Sequence, residues 1–253
     1  GGGEGGGGGG GGGSPVILYA TSNGITGSES NASTMADLYT IDLGTGDATI
    51  VGSTGLMGVS DIEYANGILY AVTSGTGTGS GELYRLNTGT GANTLVGSLG
   101  STCDTICGMA FDTSNGTMYG YGVFNSGTTT SCPGDHVTIN LTTGAVTPIN
   151  SNFSNSDSGG LAYSTTDNIL YILSQANGLA TVNPATGAKT TFTAFSGGTI
   201  MTRSTTGSVH PTTNVLYGAG EFSNLYTIDT ETAETTLFSA PGIGFIDGLA
   251  FGN

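Results

Sequence analysis

Chemistry in this chain would have to come from few side chains. There are three cysteines (Cys103, Cys107 and Cys132), two histidines (His136 and His210), and 18 acids against three cations, Arg85, Lys189 and Arg203. The cysteines offer a disulfide. A Cys103–Cys132 bridge would close about 30 residues, for which chain entropy gives roughly 3 to 4 kcal/mol; Cys107 with Cys132 and Cys103 with Cys107 are the competing pairings. Zinc is the weaker reading, because no Cys-x-x-Cys occurs. No nucleophile elbow, His-Glu-x-x-His, phosphate loop, dinucleotide fingerprint or EF-hand loop is present. No enzyme activity, cofactor or metal is therefore expected.

The elements that must position these residues follow from an internal repeat. An Asp or Asn, two variable residues and Thr-Gly recur as Asp42-Leu-Gly-Thr-Gly46, Asn87-Thr-Gly-Thr-Gly91, Asn140-Leu-Thr-Thr-Gly144, Asn183-Pro-Ala-Thr-Gly187 and Asp229-Thr-Glu-Thr-Ala233. Short alternating runs flank each copy, so each is a hairpin whose Asp or Asn accepts backbone N–H bonds and whose Gly takes a left-handed conformation. Ala233 departs from the pattern and predicts a strained or differently shaped fifth turn. A second ladder runs Leu18-Tyr19, Leu69-Tyr70, Met118-Tyr119, Leu170-Tyr171 and Leu216-Tyr217, in four cases just after Asn-Gly or Asn. The strands before it read Asp61-Ile-Glu-Tyr64, Gly108-Met-Ala-Phe111, Gly160-Leu-Ala-Tyr163, a degenerate Ser208-Val-His-Pro211, and Gly248-Leu-Ala-Phe251. Four strands per unit, at the period of a propeller blade, predict an all-β five-bladed β-propeller over residues 15–253.

The chain enters on a second strand and ends on a first strand, so the C-terminal strand is expected to join the N-terminal blade and lock the ring. By alignment, Ser60, Cys107, Gly159, Gly207 and Asp247 line one end of a narrow central channel. Asp61 and Asp247 near that mouth could hold a hydrated cation, but with two of five blades supplying one, a structural role is expected. Asp42 and Asp229 are expected to cap turns. His210, before Pro211, is expected to be a satisfied histidine rather than a general base. In this topology Cys103, between blades, and Cys132, in a loop joining second and third strands, lie on the same face, which favours their pairing and an oxidising compartment. Cys107 then starts an inner strand as a small hydrophobe.

The run LYTIDLGTGDATIVGSTG, Leu38 to Gly55, with GLAF-like strands elsewhere, resembles secreted bacterial β-propellers that carry LYxIDxxTGxxTxVG repeats, relatives in style of the YVTN and Kelch-like propellers. The resemblance implies the fold and an extracellular or cell-surface location. Such propellers serve adhesion, scaffolding and catalysis alike, so it implies no single function.

Composition narrows the partners. Net charge is −15, which excludes nucleic acid, since little could neutralise a run of phosphates. No stretch of 18 apolar residues exists to span a membrane. Residues 1–14 form a separate glycine-rich arm: Gly1, Gly2 and Gly3, then Glu4, then Gly5, Gly6, Gly7, Gly8, Gly9, Gly10, Gly11, Gly12 and Gly13. Ordering it costs about 1 kcal/mol or more per residue, which only backbone hydrogen bonds and close packing against another surface can offset. The leading expectation is an extracellular structural protein: a filament or appendage subunit whose arm docks into a neighbouring propeller, in its channel or on a blade edge, head to tail with other copies of itself. The alternative is a secreted propeller binding a glycan or a protein through the loops Thr73 to Glu82 and Gly122 to His136; a hydrolase or lyase ranks third. Sequons at Asn31, Asn115, Asn140 and Asn152 matter only if the source glycosylates.

Overall fold

The computed structural model describes residues 15–22, 34–74, 81–100, 105–122, 136–150, 159–174, 176–197, 206–220 and 223–252. The proposed arm and the pair Cys103 and Cys132 lie outside these residues, as does Arg203. Within them the repeat becomes five radial antiparallel sheets. Blade 1 holds β1 (Ile17–Ser22), β2 (Met35–Ile41) and β3 (Ala48–Met57); blade 2, β4 (Val59–Ala65), β5 (Ile68–Thr73), β6 (Glu82–Leu86) and β7 (Asn93–Ser98). Blade 3 holds β8 (Ile106–Asp112), β9 (Thr117–Gly122), β10 (His136–Ile139) and β11 (Val146–Asn150); blade 4, β12 (Gly159–Ser164), β13 (Ile169–Ser174) and β14 (Gly178–Val182). Blade 5 holds β15 (Ser196–Gly197), β16 (Thr206–Val209), β17 (Leu216–Ala219), β18 (Leu225–Ile228) and β19 (Glu234–Ser239). The last strand, β20 (Ile246–Gly252), pairs with β1 and becomes the innermost strand of blade 1. This closure removes an open inner edge.

Two blades depart from four regular strands. In blade 4 isolated bridges, Leu179 with Thr193 and Val182 with Lys189, replace the outermost strand. The chain then runs on as β15, which pairs parallel to β19 at the rim of blade 5.

The core is five wedges, one between each pair of neighbouring blades. Alternation in the Leu-Tyr strands sends the aliphatic residue into one wedge and the ring into the next. Leu18, Leu69 and Leu170 are fully buried, and Met118 and Leu216 nearly so. The first-to-second-strand turns carry Asn66, Asn168 and Asn214 at φ of 51°, 54° and 59°, a conformation that Asn tolerates better than most residues.

The Thr-Gly turns latch blades together as well as reversing the chain. Asp42 Oδ1 accepts the Gly44 and Thr45 amides, each at 2.8 Å, and Asp229 Oδ1 accepts Glu231 and Thr232 at 3.0 and 2.7 Å. These bonds hold both carboxyls below the usual carboxylate range, so the expected capping role is what the geometry shows. Gly91 approaches blade 1 so closely that a Cβ would lie 2.5 Å from the Gly52 carbonyl oxygen; Gly144 does the same to Gly97 of blade 2, at 2.6 Å. Ala233 keeps the shape of the other turns, with its N–H bonded to Asp229 O at 2.9 Å and φ of 57°. The strain expected there is present, and the altered shape is not.

Candidate functional site

A five-membered ring brings its inner strands close together. A Cβ on Gly108 would lie 2.5 Å from the Leu161 amide nitrogen, and one on Gly248 would lie 2.6 Å from that of Ile62. Pairing with the Leu-Tyr strands fixes which inner residues share a level. Asp61, Gly108, Gly160, Thr206 and Gly248 form one level; Glu63, Ala110, Ala162, Ser208 and Ala250 the next; Tyr64, Phe111, Tyr163, Val209 and Phe251 line up beyond, toward the first-to-second-strand turns. Blade 5 corrects the sequence alignment by two residues. Its inner strand is Thr206–Val209, and Ser208 stands level with Glu63, not Asp61. The hairpin there turns on His210 and Asn214, so His210 and Pro211 belong to the turn.

Asp61 fills the centre of the ring. It is fully buried. Oδ2 accepts the Met109 amide of blade 3 at 2.6 Å, and Oδ1 accepts the Thr206 hydroxyl of blade 5 at 2.8 Å. The amides of Ile62 and of Leu249 in blade 1 also donate to the carboxylate. One side chain therefore ties four blades across the axis, and the expected open channel is closed at this level. Burial outweighs these bonds and pushes the Asp61 carboxyl up to about 8. Cys107, a free thiol and half-buried, starts the neighbouring strand as expected; burial and then the Asp61 charge push it up to about 12.

Glu63 is 9% exposed and sits one level further along. Burial, then the Asp61 charge, raise its carboxyl well above the usual range, against one bond from the Tyr64 amide at 3.2 Å. Glu63 also lines a pocket of about 490 Å³, counted out to its mouth, where the closed channel opens between the first-to-second-strand turns. Its wall takes Tyr64, Phe111, Tyr163 and Phe251 from four of the five inner strands, with His210 and Asn214 from the blade 5 turn. The His210 ring meets Phe251 edge-on at 4.9 Å. Its Nδ1 accepts the Thr212 and Thr213 amides at 3.2 and 3.1 Å, which assigns the ring proton to Nε2. His136 lies elsewhere, buried and stacked on Tyr119 at 5.4 Å, with Nε2 3.2 Å from Pro184 O; burial lowers its basicity.

The acids brought together are thus Asp61 and Glu63 of one strand, while Asp247 stands one residue before the Asp61 level, half-buried. Sequence reasoning passed over Glu63. The signal was there: Asp61 and Glu63 sit two apart on a strand whose counterparts carry mostly Gly and Ala at those positions. The pocket also opens on the face opposite the loops singled out from sequence, residues 75–80 and 123–135 of which lie outside the described residues. Among the described residues no three His, Cys, Asp or Glu side chains gather to hold a metal ion.

The fold and closed ring define a five-bladed β-propeller with an acid-floored pocket at one mouth. Residues 21–131, less than half of the chain, match the model of a repeat of unknown function (DUF6923). No curated protein matches in sequence. A structural genomics protein of unknown function from Bacteroides thetaiotaomicron VPI-5482 is similar at 17% identity and a TM-score of 0.55, over 87% of this chain and 57% of that one. A chain of the nidogen/laminin complex is similar at 10% identity and a TM-score of 0.54, over 94% of this chain and 98% of that one. At such identities the likeness shows the fold alone. This chain spans little more than half the length of the first of these.

Proposed function

We propose that the protein is a non-catalytic binding module of the cell exterior, which holds a small ligand at the mouth of its closed ring. The observation that carries this reading is the pocket itself, lined by four inner-strand aromatics and floored by one carboxyl. The enclosed part of the site is small, about 70 Å³, and its wall mixes aromatic rings with polar side chains, which suits one compact group of a ligand with the rest left outside the mouth. A catalytic reading needs a second group poised to exchange a proton or attack, and the nearest titratable ring, His210, spends Nδ1 on its own turn. The test is a ligand screen by NMR on the full chain. Ligands should shift resonances of Tyr163, His210 and Phe251; a screen of charged, polar and sugar-like compounds that moves none of them refutes the reading.

A second reading is a self-assembling filament or appendage subunit joined by the Gly1 to Gly13 arm. What favours it is an apolar position repeated on outermost strands. Ile50, Leu95 and Leu237, each opposite a strand tyrosine (Tyr39, Tyr84 and Tyr226), are 54–58% exposed. Because Asp61 closes the ring, the arm would dock on a rim or in a pocket mouth and not thread the channel. Negative-stain microscopy of the chain with and without residues 1–13 tests this: polymers should need the arm, and polymers formed without it refute the assignment.

A further inference from the structure

The pocket wall spends its polar groups on itself. The Thr113 and Thr165 hydroxyls bond each other at 3.1 Å, and Tyr163 Oη donates to Asn168 Oδ1. Asn214 accepts the Ser164 hydroxyl at 2.7 Å and donates to Asp167 at 2.5 Å; Ser208 Oγ accepts the Phe251 amide at 3.1 Å. A sugar or other polyhydroxyl ligand, which needs several free donors and acceptors, finds few here. What remains to recognise a ligand is the exposed part of the aromatic rings, the Glu63 carboxyl, the Thr166 hydroxyl and the His210 Nε2–H. Among the described residues no Lys or Arg lines the pocket. Arg85 and Lys189 lie over the rings of Tyr70 and Phe192, at 5.9 and 5.2 Å from their centroids. A net charge of −15 also raises the local concentration of cations around the molecule.

We propose that the pocket binds an organic cation, an alkylated ammonium group seated among Tyr64, Phe111, Tyr163 and Phe251 with its charge toward Glu63. The inference rests on the reading of the pocket as a ligand site and names the ligand class. Aromatic rings attract such cations through their quadrupole, most strongly where water is excluded. A bulky alkylated ammonium has little need of hydrogen-bond partners, which matches a wall where most polar groups are already engaged. Binding is linked to a proton. Glu63 sits one level from Asp61, and Tyr64, Tyr163 and His210 share its pocket; burial and the Asp61 charge favour the protonated Glu63, no Lys or Arg lies among these described residues, and an incoming cation favours the ionised form. Affinity therefore rises as pH rises through the Glu63 titration, and over that range each ligand bound releases up to about one proton.

The probe is choline chloride, titrated calorimetrically into the full chain at constant ionic strength. Two buffers of different ionisation enthalpy report the protons released. The controls are 3,3-dimethylbutan-1-ol, which is choline without its charge, and glucose. Choline should bind at least tenfold more tightly than the neutral isostere, tighten as pH rises and release protons over that range; Glu63→Gln should weaken it at least tenfold and abolish the release. Tyr64→Leu, which leaves the ring centre untouched, should weaken it several-fold and guards against a Glu63 variant that fails to fold. Equal binding of the isostere, or choline binding without proton release, overturns the cation assignment. Binding of the isostere or glucose in choline's place overturns it too, while leaving the pocket as a ligand site. If no probe perturbs the pocket resonances, both readings fall.

Discussion

Replacing Asp61 tests the ring centre most directly, because its stability contribution has a sign that depends on pH. The carboxyl moves from an ordinary 3.8 to about 8 on folding. Its folded-state pKa is raised, so the folded protein binds a proton that the unfolded chain has released between those values. The contribution is fully present below about pH 4 and is lost as pH rises through about 8. A shift of this size corresponds to roughly 6 kcal/mol across that window. Asp61→Asn keeps the shape: its Oδ1 can accept the Met109 amide while its Nδ2 donates to the Thr206 hydroxyl, and it cannot ionise. Asp61→Ala leaves the Met109 and Leu249 amides without their side-chain acceptor, at about 1 to 3 kcal/mol each, and opens a void. Urea unfolding from pH 4.5 to 9 should show wild-type stability falling relative to Asp61→Asn as pH rises. The two should lie close together at the acid end and separate as pH rises toward 8, wild type becoming the less stable, with Asp61→Ala several kcal/mol below both at low pH. Taking the difference between wild type and Asp61→Asn cancels the general self-repulsion of a protein of charge −15. A difference that stays flat, or grows in favour of wild type at high pH, refutes the account of the ring centre.

Three further outcomes follow from the packing. Gly91→Ala should destabilise by about 2 kcal/mol or more, since its Cβ meets the Gly52 carbonyl at 2.5 Å; Gly67→Ala, with open space around it and φ of 82°, should cost only the left-handed strain of about 1 kcal/mol. Chemical denaturation of both variants checks the contrast, and equal losses would remove the blade latch from the explanation. Leu69→Ala and Leu170→Ala, each emptying a buried wedge site, should cost about 2 to 5 kcal/mol in the same assay. Cys107, with its thiol pushed up to about 12, should react with iodoacetamide at pH 8 far more slowly in native than in unfolded protein, followed by mass spectrometry; comparable rates would contradict its burial beside Asp61.

What the sequence made legible is what every blade repeats. The Asp/Asn-x-x-Thr-Gly turns and Leu-Tyr strands each occur five times, so a local rule about hairpins, read in two registers, yields blade number and closure. The site is written in departures from the repeat. Asp61 and Glu63 replace Gly and Ala in one blade, and Thr206 and Ser208 do so in another two blades away. Sequence alone could not show that these strands face across one axis, because the blade 5 strand is short, lies beside residues that break the pattern, and was aligned two positions late. A neighbouring position in sequence points to the opposite face of the strand, so Asp247 does not join Asp61, whereas Glu63, two residues on, does.

The levels also explain why two acids can occupy the centre. Inner strands this close admit Gly and Ala at most of the ring's positions, and a blade that contributes long side chains needs the other blades to contribute almost none. Gly108 and Gly248 let the inner strands approach backbone to backbone, and Asp61 is held by the Met109 and Leu249 amides that those strands expose. The Gly-Leu-Ala-Phe form of the other inner strands is thus a condition for the acid in blade 2. Glu63, one level nearer the mouth, has the same freedom but only one amide partner beside it, which leaves its carboxyl for whatever enters the pocket.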